Sequence, residues 1–341
     1  MGTLMRQVWI TGPGSVEVRT VAVPDPGPGE ALVRTAFAGI CGSDLHTLTR
    51  GHPWLPYPLA PGHEASGQVA ALGDGAHRFA PGDDVYLRPV LACGTCARCR
   101  RARPNLCTDL IGVGSHLPGL MADFAVVPEA ALARVPAGVG LAEAALIEPL
   151  ATAVHALTRA GDTRGAAVQV TGGGAIGQCV LLALTAAGVG PVAVVEPVAS
   201  KRALASALGA AHAIDPASGD ARERVRTALG GRPDVVFDCV GSAVTIRAGV
   251  AEVARGGSVV VVGVGHGEVP VPIETVQDHE VTVTGSAMYT PEDLDRAAEL
   301  VAEGVPVARL ITSVRPLTDA ADAMAAAATG TETKIHLAGR T

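Results

Sequence analysis

Between Gly165 and Val195 the chain carries no charged residue at all. An apolar stretch of that length has two physical solutions. It can cross a bilayer, for which ~20 apolar residues suffice, or it can be cut into shorter buried elements. Here "TGGGAIG" and "AAGVGP" interrupt it, and glycine clusters of this kind mark turns. Buried strand, turn, buried helix, turn and buried strand is therefore the expected reading, and no membrane partner is expected.

The pattern continues on the C-terminal side. From about Ala151, strand-like runs ("AAVQV", "VAVVE", "HAID", "DVVFDCV", "GSVVVVGV", "EVTVTGS") alternate with alanine-rich stretches such as "SKRALASALGA" and "AVTIRAGVAEVA". Strand–helix alternation predicts a parallel sheet with helices on both faces. Up to about Glu148 the chain reads differently. "ALVRTAFAGI", "ASGQVAAL", "DDVYLRP" and "MADFAVVP" are β-branched runs separated by proline and glycine, which predicts an all-β, loop-rich unit. After Ser286 a helix near "PEDLDRAAELVAEG" and a final strand "KIHLAG" are expected. A length of 341 residues fits two domains.

Composition narrows the function classes. The chain is 48% hydrophobic and 17% charged, which is globular composition. Its net charge of -7 argues against a nucleic-acid partner. "MGTLMRQVWITGPG" lacks the apolar core of a secretory signal, so a cytoplasmic location is expected. In that compartment clustered cysteines bind metal more often than they bridge.

Gly172-x-Gly174-x-x-Gly177 follows a strand and opens a helix. Glycines there permit a tight turn and let a pyrophosphate approach the free N–H groups of the helix start. Glu196 ends the next strand, about twenty residues on, where a carboxylate can accept hydrogen bonds from ribose hydroxyls and repel a 2′-phosphate. This predicts NAD. Lys201 and Arg202 follow closely and would be the groups that tolerate NADP.

Cys93, Cys96, Cys99 and Cys107 are spaced C-x2-C-x2-C-x7-C. Four thiolates supply a closed tetrahedral zinc site. A redox pair and a nucleic-acid-binding zinc ribbon are the alternatives, the second suggested by the arginines among the cysteines. A second set of metal-ligating types stands elsewhere: Cys41 with Ser43, Asp44 and His46, then His63-Glu64, then Glu148. Singly these are a buried thiol, a loop histidine and a helix-start carboxylate. Together they can form a Cys/His/carboxylate zinc site with an open position.

These residues carry a resemblance that covers nearly the whole chain. Cys41-Gly-Ser43-Asp44-x-His46, Gly62-His63-Glu64, the four-cysteine loop, Glu148-Pro149 and the Gly172 loop ending at Glu196 resemble the zinc-dependent medium-chain dehydrogenase/reductases, in the sorbitol and threonine dehydrogenase branch. The resemblance implies an α/β fold: a GroES-like β domain over residues 1–152 and 288–341, and a Rossmann doubly wound parallel sheet over 153–287. It implies two zinc ions per chain, one held structurally by the four cysteines. The other, catalytic ion falls to Cys41 and His63, with Glu148 or Glu64 completing the set. Glu148 stands where alcohol dehydrogenases of this family carry a second cysteine.

The same resemblance assigns roles. Asp44 would orient His63, Ser43 would take the substrate's hydroxyl proton, and His46 would pass it toward solvent. Gly172, Gly174, Ala175, Ile176, Gly177, Glu196, Lys201, Arg202, Val240, Val264 and Ser286 would line the cofactor. Trp54, Tyr57, His116 and Tyr289 would face a small alcohol substrate. Met288 stands where many polyol members carry arginine. The expected reaction is reversible oxidation of a secondary alcohol (polyol, cyclitol or amino alcohol) to a ketone with NAD, in a homotetramer or homodimer. A zinc-free enoyl or quinone reductase and a non-enzymatic zinc-stabilised binding protein are the competing readings.

Overall fold

The computed structural model describes residues 3–52 and 54–340. It falls into two compact units. The first comprises the chain up to Glu148 together with Val301–Glu303 and the stretch from Val307 onward; the second comprises Pro149–Leu300 and Gly304–Pro306.

The first unit is built on a seven-stranded sheet. Its path runs Ile311–Pro316, Lys334–Ala338, Glu30–Gly39, Glu64–Leu72, Asp84–Leu87, Leu132–Arg134, with Phe124–Pro128 also paired to Glu30–Gly39. The C-terminal strand is thus no appendage. It pairs antiparallel with Glu30–Gly39, in the register His336 opposite Gly39 and Leu337 opposite Ala38. A hairpin of Leu4–Gly12 and Ser15–Ala22 forms a separate two-stranded sheet packed on the same core. Alternating inward residues (Val33, Val85, Leu132, Leu337) join Ile10, Met121 and Met324 in one fully buried core.

Within this unit the all-β expectation misses the helices Gly42–Arg50, Leu141–Ala144 and Ala320–Ala328, of which Gly42–Arg50 bears on the site. The sequence there is short and polar, and its start is capped from within. Asp44 Oδ2 accepts the Cys41 backbone N–H at 2.9 Å, which satisfies a donor the helix cannot use itself.

The second unit is a six-stranded sheet in which every neighbouring pair is parallel. The order is His212–Ile214, Val192–Val195, Val168–Thr171, Val235–Asp238, Ser258–Val261, Thr282–Gly285. By order of appearance this is 3-2-1-4-5-6, the doubly wound dinucleotide-binding arrangement. Val168–Thr171 and Val235–Asp238 are buried at every position, as parallel strands covered on both faces require. The uncharged stretch resolves into the strand Val168–Thr171, the helix Ala175–Ala186 and the strand Val192–Val195. Among the described residues no helix is long and apolar enough to cross a membrane.

The units divide at Glu148/Pro149 and near Leu300, whereas the family resemblance put the divisions after 152 and 287. The helix Pro291–Ala302 stays with the parallel sheet because buried polar contacts hold it there. Asp293 Oδ2 lies 2.7 Å from His155 Nδ1, and Thr158 donates to Asp293 Oδ1 at 3.3 Å. Arg159, on the same helix (Ile147–Ala160), donates to Thr284 Oγ1 at 2.8 Å and to the Gly285 carbonyl at 3.2 Å.

Candidate active site and cofactor loop

Donor atoms of Cys41, His63 and Glu64 lie within 4.8 Å of one another. Cys41 stands at the N-cap of Gly42–Arg50, and Glu64 begins the strand Glu64–Leu72. Gly62, at φ +115, brings His63 in: a Cβ there would sit 2.8 Å from the Leu120 backbone nitrogen, so only glycine lets the two segments approach this closely. Asp44 Oδ1 lies 3.7 Å from His63 Nδ1. Burial pulls the His63 imidazole down, but Asp44, Cys41 and Glu148 together hold its pKa well above the usual range. Burial raises the Asp44 carboxyl, and His63 opposes that rise. One nitrogen facing a carboxylate and the other left for a metal is the arrangement that orients a ligating histidine. Glu148 falls outside the group of mutually close donors, yet its charge reaches His63.

Glu64 is fully buried, and Lys334 approaches both its oxygens, at 2.8 and 2.6 Å. The same ammonium donates to the Ile40 carbonyl at 3.1 Å, next to Cys41. Burial would raise the Glu64 carboxyl, but Lys334 and His63 hold it below its ordinary value. His336, two residues on, is completely buried, and burial beside Lys334 pushes its imidazole down to about 4. Neither Lys334 nor His336 stood out in the sequence. The one available signal was rarity: Lys201 and Lys334 are the only two lysines in the chain, and both are buried.

Ser43 and His46 are three residues apart on Gly42–Arg50, so they share a helix face. Ser43 is exposed and His46 half-buried. The substrate candidates are more dispersed. Trp54 is 81% exposed. The Tyr57 hydroxyl donates to the Thr47 carbonyl at 2.6 Å, which anchors Gly42–Arg50. His116 is exposed, with its Nδ1 accepting the Gly112 N–H at 3.1 Å. Tyr289 is only 3% exposed and lies in the second unit.

The four cysteines form the second donor group. The Sγ–Sγ separations of Cys96 from Cys99 and Cys107 are 3.5 and 3.8 Å, and Cys107 lies 3.4 Å from Cys93. Tetrahedral zinc with its bonds to sulfur near 2.3 Å needs sulfurs roughly 3.8 Å apart, so the set fits that ion. Backbone N–H groups of Cys96 and Cys93 point at the Cys93 and Cys107 sulfurs, both at 3.3 Å. Such donors favour thiolate, and backbone N–H donation brings Cys96 down to about 5.

In the second unit Gly172, at φ +91, turns the chain out of its strand, and Gly174 caps the helix Ala175–Ala186. Glu196 is buried, and both its oxygens hold backbone: Oε2 accepts from Gly173 at 2.6 Å and Oε1 from Val198 at 2.7 Å. Arg202 is turned inward, donating to the carbonyls of Glu196 and Pro197 at 2.8 and 2.7 Å and pairing with Asp215 at 3.0 Å. Lys201 is buried, and its carbonyl accepts from Gln178, which also donates to Gly173. Val240 and Val264 are exposed, and the buried Ser286 hydroxyl has no partner among the described residues.

Residues 27–137 match the alcohol dehydrogenase GroES-like domain, and residues 175–303 match the zinc-binding dehydrogenase family. Sorbitol dehydrogenase of Bos taurus is 32% identical, over 96% of this chain and 94% of that protein. A 2-dehydro-3-deoxy-L-galactonate 5-dehydrogenase of Pseudoalteromonas atlantica is 35% identical over 88% of each. The solved structure of a zinc-binding dehydrogenase from Sinorhizobium meliloti 1021 bound to NADP superposes with a TM-score of 0.92 at 32% identity, covering 98% of this chain and 99% of that one. With the β unit, the 3-2-1-4-5-6 sheet and two metal-ligating clusters already in place, these likenesses leave one assignment: the chain belongs to the zinc-dependent medium-chain dehydrogenase/reductases, in their sorbitol dehydrogenase branch, and is an NAD(P)-dependent alcohol dehydrogenase acting on CH–OH.

Proposed function

We propose that this enzyme reversibly oxidises a secondary carbinol of a small polyhydroxylated substrate to a ketone, with NAD as the hydride acceptor. The observation that carries the reading is the convergence of Cys41, His63 and Glu64 at the start of the helix that presents Ser43 and His46. Cys41 and His63 would hold a catalytic zinc ion, with Glu148 or Glu64 completing its set, and Cys93, Cys96, Cys99 and Cys107 would hold a second, structural one. A zinc ion at such a site stabilises negative charge on an alcohol oxygen, which lets a weakly acidic hydroxyl ionise near neutral pH.

The chain's own residues would do the rest. Asp44 fixes the His63 ring. Lys334 neutralises the buried Glu64 carboxylate. Ser43 would accept the hydroxyl proton, and His46, one helical turn on, would carry it away, the kind of relay an imidazole can serve. A nicotinamide bound at the glycine loop would supply the hydride acceptor.

Two features support NAD. The Glu196 charge sits against the glycine loop, and Arg202 is engaged by Asp215 and two carbonyls rather than free to meet a phosphate. Relatives carry names of both neutral-polyol and sugar-acid dehydrogenases, and we extend only their shared chemistry, oxidation at a secondary carbinol, to this chain. Family resemblance adds the expectation of a homodimer or homotetramer. The test is NAD reduction across alditols, cyclitols, amino alcohols and primary alkanols, with zinc content measured on the same preparation. Turnover of at least one polyhydroxylated secondary alcohol above hexanol is expected; preference for hexanol over all of them would overturn the reading.

A further inference from the structure

Asp238 ends the strand Val235–Asp238, directly opposite Thr171 in the neighbouring strand Val168–Thr171. The order 3-2-1-4-5-6 reverses between these two strands, and a reversal of that kind opens a crevice at their carboxyl ends. The Gly172 loop forms one side of the crevice. Asp238 stands at the start of the other, and it is completely buried.

A buried carboxylate needs hydrogen-bond partners. Those of Asp238 are main-chain N–H groups. Its Oδ1 accepts from Val240 at 3.0 Å and from Gly241 at 2.6 Å, while Oδ2 has no partner among the described residues. Its own carbonyl accepts from Val262 at 2.8 Å and from Gly263 at 2.9 Å. An aspartate that bonds its own backbone two residues on is a common way to turn a chain. Here the same residue also gathers the loop that follows the next strand, Ser258–Val261.

The two loops touch at positions that only glycine fills. A Cβ on Gly263 would run into the Gly241 nitrogen and the Val240 carbonyl carbon, and one on Gly265 into the Gly241 oxygen. With no slack between them, a shift of one loop shifts the other. Each presents a valine outward: Val240 is 46% exposed and Val264 58%. Val240 also reaches the nucleotide loop, since a Cβ on Gly172 would stand 2.7 Å from its Cγ2. Two open apolar side chains at the carboxyl ends of parallel strands, one of them against the glycine turn, offer a surface that a flat ring system covers.

We infer that Asp238 is a positioning residue for the dinucleotide: its carboxylate fixes the loops that carry Val240 and Val264, and through them the affinity for the cofactor. It touches no reacting atom. Glu196 holds the glycine loop from one side through the Gly173 N–H, and Asp238 holds the wall that meets that loop from the other.

The test is calorimetric titration of NADH and of NADPH into the wild type and four variants, with a thermal melt of each ligand-free protein. Asp238→Ala frees both loop N–H groups and should weaken binding of the preferred dinucleotide by about tenfold or more, the size of one lost hydrogen bond to a charged group. Asp238→Asn keeps an acceptor oxygen in the same place and should recover most of that affinity. Asp234→Ala is the structural control. Asp234 lies just before the other end of the same strand and accepts the Ala167 N–H at 2.9 Å, so its loss should lower the melting temperature and leave the dissociation constant unchanged. Gly265→Ala keeps Asp238, lies on an exposed turn and forces the loops apart; it should reproduce the weakening with little change in melting temperature, even where Asp238→Ala fails to fold. Wild-type affinity in Asp238→Ala or in Gly265→Ala would overturn the inference. So would an Asp234→Ala protein that loses as much affinity as Asp238→Ala, or an Asp238→Asn protein that recovers none. A wild type that binds neither dinucleotide would remove the dinucleotide role of the glycine loop, and this role with it.

Discussion

Lys334 Nζ lies 2.6 Å from one oxygen of Glu64 and 2.8 Å from the other, across 270 positions of sequence, with both side chains out of contact with water. A buried charge pair owes its existence to both members. Removing one strands the other in a low-dielectric interior, at a cost of about 3–5 kcal/mol. Lys334→Met should therefore destabilise the protein severely, and Glu64→Gln combined with Lys334→Met should recover much of the loss. Chemical denaturation of the three variants checks this. A single Lys334→Met that melts like the wild type would show that the pair contributes nothing.

A second buried pair gives an acid dependence. Asp293 accepts from His155, from the Thr290 N–H and hydroxyl at 2.9 Å each, and from Thr158. Burial alone would raise its carboxyl, but hydrogen bonds from His155 and Thr290 outweigh that and hold it below its ordinary value. A carboxyl whose folded pKa is depressed contributes stability above its unfolded pKa, about 3.9, and loses it as pH falls through the folded value. Asp293→Asn should thus be destabilised at pH 7 and should show a flatter fall in stability below about pH 4 than the wild type. Equal slopes in thermal melts across that range would remove Asp293 from the acid response.

How much of this was legible beforehand depends on sequence distance. The glycine loop and the four-cysteine loop are local: their residues lie within a short stretch, so spacing together with the flanking strand and helix singles them out. Cys41, His63 and Glu148 were found as a constellation only because each sits in a recognisable short motif. The Lys334–Glu64 pair has no local signature. Its partners meet because the C-terminal strand Lys334–Ala338 pairs beside Glu30–Gly39, which pairs in turn with Glu64–Leu72. Propensity also misled locally. The helix Gly42–Arg50 is a short, largely polar run whose N-cap, Cys41, is held by the buried Asp44 side chain, and tertiary packing overrides the weak preference of such a segment. Likewise Ile311–Pro316 and Ala320–Ala328 escaped notice, the first because alternating exposure leaves it a half-polar edge strand.

The two cysteine positions should separate metal loss from loss of chemistry. Cys93→Ser opens a closed four-sulfur set, and structural zinc contributes folding energy directly. It should lower thermal stability and zinc content while sparing turnover in whatever remains folded. Cys41→Ser should keep the fold, lose the other zinc equivalent and lose activity. Zinc per chain by elemental analysis, beside a melting curve, decides it; full activity with one zinc per chain would exclude the two-site assignment.

Ser43→Ala should reduce kcat by roughly 10²-fold, the usual loss for a positioned proton acceptor. His46→Ala should be milder, since water can stand in for a relay group that is only half-buried, and its deficit should be largest at low pH. A pH profile of kcat for both variants checks the order. An unimpaired Ser43→Ala enzyme would remove the hydroxyl from the relay.

The last prediction concerns the cofactor, where the structure changes the choice of variant. Glu196 is the residue expected to meet the cofactor ribose, but its two oxygens hold Gly173 N–H and Val198 N–H. Glu196→Ser would remove the charge and release the glycine loop together, so a fall in NAD use could come from either. Glu196→Gln keeps one acceptor oxygen and a similar shape while removing the charge. If like-charge repulsion sets the preference, Glu196→Gln should raise kcat/KM with NADP while costing NAD less than Glu196→Ser does, because repulsion of this kind is worth several kcal/mol in a desolvated site. Asp215→Ala should add to the gain with NADP, since it frees the Arg202 guanidinium now paired at 3.0 Å. Steady-state kinetics with both cofactors on the single variants and the Glu196→Gln/Asp215→Ala double variant tests this. A wild type that already prefers NADP, or a double variant with no improvement in NADP use, would overturn the role given to Glu196.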